Sequence, residues 1–384
     1  MHLFRQNFLI SMTIGYDAKR AFHNPTGLGN YSRTLLTAMF RQHPENEYVL
    51  FDTSRPLDLP YFNRALRESG SKFRYEGGSG TFGRTFFWGK KAAGMKLDLY
   101  HGLSNEIPLD WNPRRGVKSV VTIHDVIFRR FPLAYKWTDR FIYQQKTAFA
   151  CKKADLILVP SLQTRADLEG WFPSCKGRVE VLYQDTAPAF HYRKRPEAVA
   201  KVLYKYDLVE RPYILCVSKL DQRKNHLRLL KAFRMVMQEI PEDLVLVGAR
   251  GDAAEEVLDQ LGDFEGRLRW LGAVETDDLV NLYDGSVFTV FPSLFEGFGI
   301  PVLESVRRGK AVLASSDSCC EEVAGPAGIY ADPTSEKSLA EGLISLSTDS
   351  SLRFQLELSA SRQAEKFNLQ LLTEELHNHY RIIL

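Results

Sequence analysis

Short β-rich runs alternate with helical stretches from one end of the chain to the other, and few folds accommodate that order. In the first half the pattern predicts strands over Thr13–Asp17, Tyr48–Asp52, Asp98–Tyr100, Ser119–His124, Asp155–Val159 and Val179–Leu182. Helices fall between them, as over Tyr31–Arg41 and Thr138–Lys153. In the second half strands are expected over Tyr213–Val217, Leu244–Val247, Leu268–Leu271, Val287–Phe291, Ala311–Ala314 and Ile329–Tyr330. Helices over Leu227–Gln238, Thr276–Asp284 and Pro301–Arg308 separate them. Such alternation implies parallel sheets covered by helices on both faces.

With 384 residues, two domains are the default. The boundary is placed near Gln184–Arg211, where Pro188, Pro196 and a basic cluster from His191 to Arg195 read as a connector. The expected division is a first domain over 1–190, a linker over 191–211, a second domain over 212–365, and a C-terminal helix over 366–384 returning to the first domain. The fold class is α/β: two Rossmann-like, doubly wound domains facing across a cleft. Ligands of open parallel sheets lie at the carboxyl ends of the strands, so the cleft is the expected site.

Composition excludes several functions. Fifty basic against 47 acidic residues leave a net charge of +3, a poor footprint for a nucleic-acid binder. Five cysteines, with no CxxC pair, argue against a disulfide framework or a cysteine zinc site and fit a reducing cytosol. No apolar run approaches the roughly 18 residues that span a bilayer. The apolar patch Phe8–Met12 lacks a signal-peptide layout, and residues 1–11 read as a loose leader.

The most informative segment is Val287–Gly309, which reads strand, tight loop, helix. Gly297 and Gly299 allow a sharp turn and close approach to a ligand. Pro301 suits the first helical turn. The N–H groups of Phe298, Gly299, Ile300 and Val302 then surround the positive end of a helix dipole, a place for phosphate or sugar hydroxyls. Glu296 precedes this loop, and Glu304 follows eight residues later, within reach of a ribose diol. Where the strand Tyr213–Val217 ends, Lys219 and Lys224 sit on a short loop, placed for a diphosphate leaving group. In the first half, Gly27 and Gly29 open a helix after the first strand and suit a diphosphate. With Asp52 at the end of the next strand they also allow a dinucleotide reading, although Ser32 replaces the third glycine of that fingerprint. His124 ends an apolar strand, and His101 is a candidate for the site wall. The stretch Thr81–Leu97 carries Arg84, Lys90, Lys91 and Lys96 among Phe82, Phe86, Phe87 and Trp88, with no acid. It reads either as an interfacial helix against anionic lipid or as a surface helix burying its aromatics.

On these residues the chain resembles the retaining glycosyltransferases of the "glycosyl transferases group 1" family, family 4, which adopt the GT-B fold. Its E-x7-E element matches Glu296 to Glu304, its strand-end basic element Lys219 and Lys224, and its base-holding segment Leu271 to Val274. The segment Cys320–Gly328 is similar to the family's run into the last strand. Departures are Ser218, where the family usually has Gly, and Lys219, where Arg is commoner and would add a bidentate fork.

The resemblance implies that Lys219 and Lys224 hold the donor phosphates, with Gly27 and Gly29 facing them. It implies that Glu296 and His124 contact the transferred sugar, Glu304 the ribose and Val274 the nucleobase, with Gly299, Ile300 and Val302 lining the donor loop. It further implies retention at the anomeric carbon and the leaving phosphate as the base. Lysines and a helix dipole neutralise the diphosphate, and no D-x-D motif ends a strand, so no metal or cofactor is expected. The general look is nearest to bacterial mannosyltransferases of surface-polysaccharide synthesis. The expected partners are therefore GDP-mannose as donor and a glycan or lipid-linked saccharide as acceptor, in the cytoplasm or at the inner face of the membrane. A nicotinamide-dependent oxidoreductase, a GT-B epimerase or phosphorylase, and a catalytically silent sugar- or nucleotide-binding protein stay open at this level.

Overall fold

The computed structural model describes residues 11–25, 27–54, 57–78 and 80–384. Residues 1–10 of the expected leader, and Thr26 of the first glycine loop, lie outside the described residues. The chain divides into two compact units, one running to Gln184 and taking back Leu369–Leu384, the other spanning Asp185–Asn368.

Among the described residues the first unit holds seven parallel strands: β1 Thr13–Asp17, β2 Glu47–Phe51, β3 Lys72–Glu76, β4 Leu99–Gly102, β5 Lys118–Thr122, β6 Leu156–Val159 and β7 Val179–Val181. Their order in the sheet is β3-β2-β1-β4-β5-β6-β7. The second unit holds six: β8 Tyr213–Val217, β9 Asp243–Val247, β10 Leu268–Trp270, β11 Phe288–Phe291, β12 Val312–Ser315 and β13 Gly328–Ala331, ordered β10-β9-β8-β11-β12-β13. Both units are thus doubly wound α/β sheets, as the alternation predicts. The winding reverses between β1 and β4 and between β8 and β11, the points where such sheets open a crevice.

Successive strand residues face opposite sides, and each side has a core. In the second unit Ile214 and Cys216 pack with Leu229, Phe233 and Leu313 on one face. Tyr213 and Leu215 pack with Val245, Val280 and Tyr283 on the other. The first unit repeats this with Ile14, Tyr16 and Leu50 on one face and Val49, Phe51 and Tyr100 on the other. Such strands carry no polar alternation because both faces are buried.

Three differences from the sequence reading have physical causes. The edge strand β3 was not predicted: KFRYE is largely exposed and has no buried stripe to reveal it. Residues 191–211 are not a linker. They carry the helix Pro196–Lys205, whose Val202 and Leu203 pack with Phe190 into the core of the second unit. The chain passes from one unit to the next at Gln184–Asp185 rather than after residue 190. The helix Leu369–Ile383 returns to the first unit, where Leu372, Leu376 and Tyr380 enter the core. Among the described residues, no helix is long and apolar enough to cross a membrane.

Candidate functional site

In the second unit the loops after β8 and β11, the two strands flanking the winding reversal, are tied together. Asn225, in the left-handed region at φ 64°, ends a short 3₁₀ turn over Gln222–Lys224 and opens the helix His226–Val236. Its amide donates to the carbonyls of Pro292 (3.0 Å) and Pro333 (2.7 Å). The Leu294 N–H donates to the Arg223 carbonyl at 2.9 Å. This lacing delivers a cation pair to one carboxylate. Arg223 Nη1 and Lys224 Nζ each reach Glu296 Oε1 at 2.6 Å, and Ser293 donates its hydroxyl to the same oxygen. Burial alone would push the Glu296 carboxyl up, but Lys224 and Arg223 outweigh it and hold the group below the usual carboxylate value. Lys224 also lies 5.0 Å from the centroid of the Phe291 ring.

Lys224 and Glu296, assigned from sequence to phosphate and sugar, form one ion-paired group. Arg223, which lies between the two lysines and belongs to no motif, is its third member. Lys219 stands apart: its side chain is 55% exposed and pairs with Asp221 at 2.9 Å.

Gly299 adopts φ +101° immediately before the helix Ile300–Arg307, a conformation that strains any L-residue. The Val302 N–H closes the first turn on the Gly299 carbonyl at 3.0 Å. Phe298 is buried and meets Phe367 edge-on at 5.8 Å. Glu304, on the same helix, accepts from the Tyr283 hydroxyl at 2.9 Å, and burial raises its carboxyl to about 8 against that hydrogen bond. Val274 is half-buried in the loop after β10 and packs with Leu271 on the core of the unit.

In the first unit His124 is buried, with both ring nitrogens engaged. A carbonyl can only accept, so Nε2–H donates to Leu103 O (2.9 Å) and Nδ1 accepts from the Gln184 amide (3.0 Å). The Tyr31 ring meets it edge-on at 4.6 Å. Burial lowers its pKa to about 4. In this arrangement His124 ties the segments around it together through both ring nitrogens. His101 is fully buried rather than on a wall, bonded to Tyr380 Oη (2.6 Å) and Thr122 Oγ1 (2.8 Å). Gly29 is demanded by the chain itself: a Cβ there would lie 1.8 Å from the Asn24 carbonyl oxygen. Gly27, by contrast, has open space around it.

The stretch Thr81–Leu97 forms two short helices, Gly80–Phe86 and Trp88–Gly94. Arg84 turns inward to the carboxylates of Asp17 (2.6 Å) and Glu106, Trp88 is buried, and Lys91 pairs with Glu76 at 2.7 Å. Phe82, Phe86 and Phe87 remain exposed in one cluster, with ring centroids 4.8 and 5.7 Å apart.

Fold and site together define a doubly wound α/β protein whose charged groups gather at the strand-end crevice of its second unit. Residues 205–366 match the family described as Glycosyl transferases group 1. The O-antigen chain mannosyltransferase B of Escherichia coli is 31% identical over 294 residues, 74% of this chain and 74% of that protein. A crystal structure of a glycosyltransferase from Rickettsia africae ESF-5 is similar with a TM-score of 0.75 at 16% identity, over 97% of this chain and 99% of that one. Anabaena HepE in complex with UDP and glucose gives 0.71 at 18%, over 96% and 99%. The chain belongs to the group 1 glycosyltransferases. The oxidoreductase reading loses its ribose acid: Asp52 is fully buried and bonded to His23 Nε2 at 2.9 Å.

Proposed function

We propose that this glycosyltransferase moves mannose from GDP-mannose to a growing surface polysaccharide, with retention at the anomeric carbon. The observation that carries the reading is the Arg223–Lys224–Glu296 group beside the Gly299 helix entrance, with Glu304 on the same helix. Two cations fixed by a buried carboxylate are preorganised for a leaving diphosphate, whose negative charge grows as the bond to the anomeric carbon breaks. The acceptor oxygen bonds to that carbon on the face the phosphate leaves, and the departing phosphate oxygen takes the acceptor proton. Glu296 stays ionised and neutralises charge building on the sugar. The ribose diol donates to Glu304, the base packs near Val274, and the first unit receives the acceptor. No metal takes part in this scheme. Mannose is supported by the mannosyltransferase named among the relatives. HepE was solved with UDP, so the identity of the base is tested directly.

The test is a turnover assay with radiolabelled GDP-mannose, UDP-glucose and ADP-glucose against lipid-linked oligosaccharide acceptors, with the product anomer read by NMR. Mannose transfer with an α-linked product is expected, and EDTA should leave the rate unchanged. Transfer from UDP-glucose alone, a β-linked product, or an EDTA-abolished rate restored only by a divalent ion each contradicts the corresponding part.

A membrane contact belongs to the same proposal, on the cytoplasmic face. The exposed Phe82, Phe86 and Phe87, with exposed Lys90 beside them, suit the headgroup region of anionic lipid. Phe82→Ser/Phe87→Ser should lose flotation with anionic vesicles at low salt. A wild-type chain that does not float rejects the contact.

A further inference from the structure

A separate cluster in the first unit has no part in the reaction above. The helix Gly27–Gln42 ends at His43, and the following turn presents Glu45. The returning helix Leu369–Ile383 lays His377 against them, with Glu374 one turn earlier. One ligand atom each from His43, Glu45 and His377 lies within 4.8 Å of the other two. His43 Nδ1 stands 3.3 Å from Glu45 Oε1, and His377 Nε2 stands 3.9 Å from the same oxygen. Glu374 Oε2 is 3.5 Å from His43 Nε2.

Two facts make this more than a charged corner. His43 is 6% and His377 is 4% exposed, yet the Nε2 atoms of both are buried without a hydrogen-bond partner. A polar atom kept from water without a partner costs about 1–3 kcal/mol, so two side by side point to something else that satisfies them. The rings also stack with centroids 3.7 Å apart and planes 9° from parallel.

We propose that His43, His377 and Glu45 bind a divalent transition ion of the zinc class. Two imidazoles select against magnesium and calcium, which take oxygen ligands. Three protein ligands leave the fourth position of a tetrahedral ion to water. The ion staples the C-terminal helix to the turn before β2, joining opposite ends of the chain. An ion lies in the plane of each imidazole that holds it, so binding turns one ring out of the stack.

The experiment uses the full chain without a histidine tag, stripped with EDTA and titrated calorimetrically with Zn²⁺ alone. One saturable equivalent is expected. At a hundredfold excess over Kd it should raise the melting temperature by about 5 °C or more. His43→Asn/His377→Asn should weaken binding by more than about 100-fold. No saturable binding, or equal affinity in the double variant, overturns the site. Should the double variant fail to fold, X-ray absorption of the zinc-loaded wild-type chain decides. Two imidazoles with carboxylate oxygen support the assignment, and one imidazole or none overturns it.

Discussion

At the scale of single residues, the site turns on which charges are shared. Arg223, Lys224 and Ser293 converge on one oxygen of Glu296, so removing any of them leaves the others mispaired. Arg223→Ala and Lys224→Ala should each lower kcat by about 10²–10³-fold, the effect of removing a donor to developing charge. Lys219→Ala should cost far less, because that ammonium is exposed and paired with Asp221. Steady-state kinetics on the three variants checks the ranking, and a Lys219 variant as damaged as Lys224→Ala would reverse the assignment. Glu304 gives a pH prediction. Its folded value, about 8, lies above the ordinary 4.5. The folded chain therefore holds that proton more tightly than the unfolded chain. The stability this provides is full below pH 4.5 and is lost as pH rises toward 8. Donor binding has the opposite sign, since only the carboxylate accepts both ribose hydroxyls. Nucleotide affinity should climb as pH rises through 8, and Glu304→Gln should flatten both profiles, read by calorimetry and thermal unfolding.

At the scale of elements, the loop–helix joints carry the function, and each is held by a backbone requirement. Gly299 enters its helix at φ +101°, and a Cβ would lie 3.4 Å from Cys320 Sγ. Gly299→Ala should cost about 1–2 kcal/mol in stability from the left-handed backbone alone, and it should weaken nucleotide binding by moving the helix entrance. Unfolding titrations beside nucleotide calorimetry separate the two effects. Gly29→Ala should be worse, because the opposing atom is a backbone carbonyl at 1.8 Å, not a side chain that can turn away. The central strands were legible from sequence because burial on both faces leaves an uninterrupted apolar run, as in YILCV and DLVLV. The helix Ile300–Arg307 was legible from its Gly-Ile-Pro start. Strand β3 was hidden by its exposure, and the helix Pro196–Lys205 by the prolines and charges that made its surroundings read as a connector.

At the scale of the whole molecule, the first unit is completed by the last residues of the chain. Tyr380 joins Tyr16 Oη (3.2 Å) and His101 Nδ1 (2.6 Å) in a buried hydrogen-bonded set, while Leu372 and Leu376 fill the core beside it. Tyr380→Phe should destabilise this unit by about 1–3 kcal/mol, the cost of a buried partner lost. Leu376→Ala should cost about 2–5 kcal/mol for the cavity it leaves. Scanning calorimetry should place both losses in the transition of the first unit. An unchanged first transition would mean that this helix does not support its core.

Local periodicity and turns only a few residues long are enough to specify the two parallel sheets, the strand ends where charge collects, and the Glu296–Glu304 spacing. Tertiary structure alone decided that Arg223 and Lys224 share Glu296, that the nitrogens of His124 are spent on Leu103 and Gln184, and that His43 meets His377. Each of these pairings joins atoms brought together by packing across the sheets. No local pattern encodes a contact whose partner lies tens or hundreds of residues away.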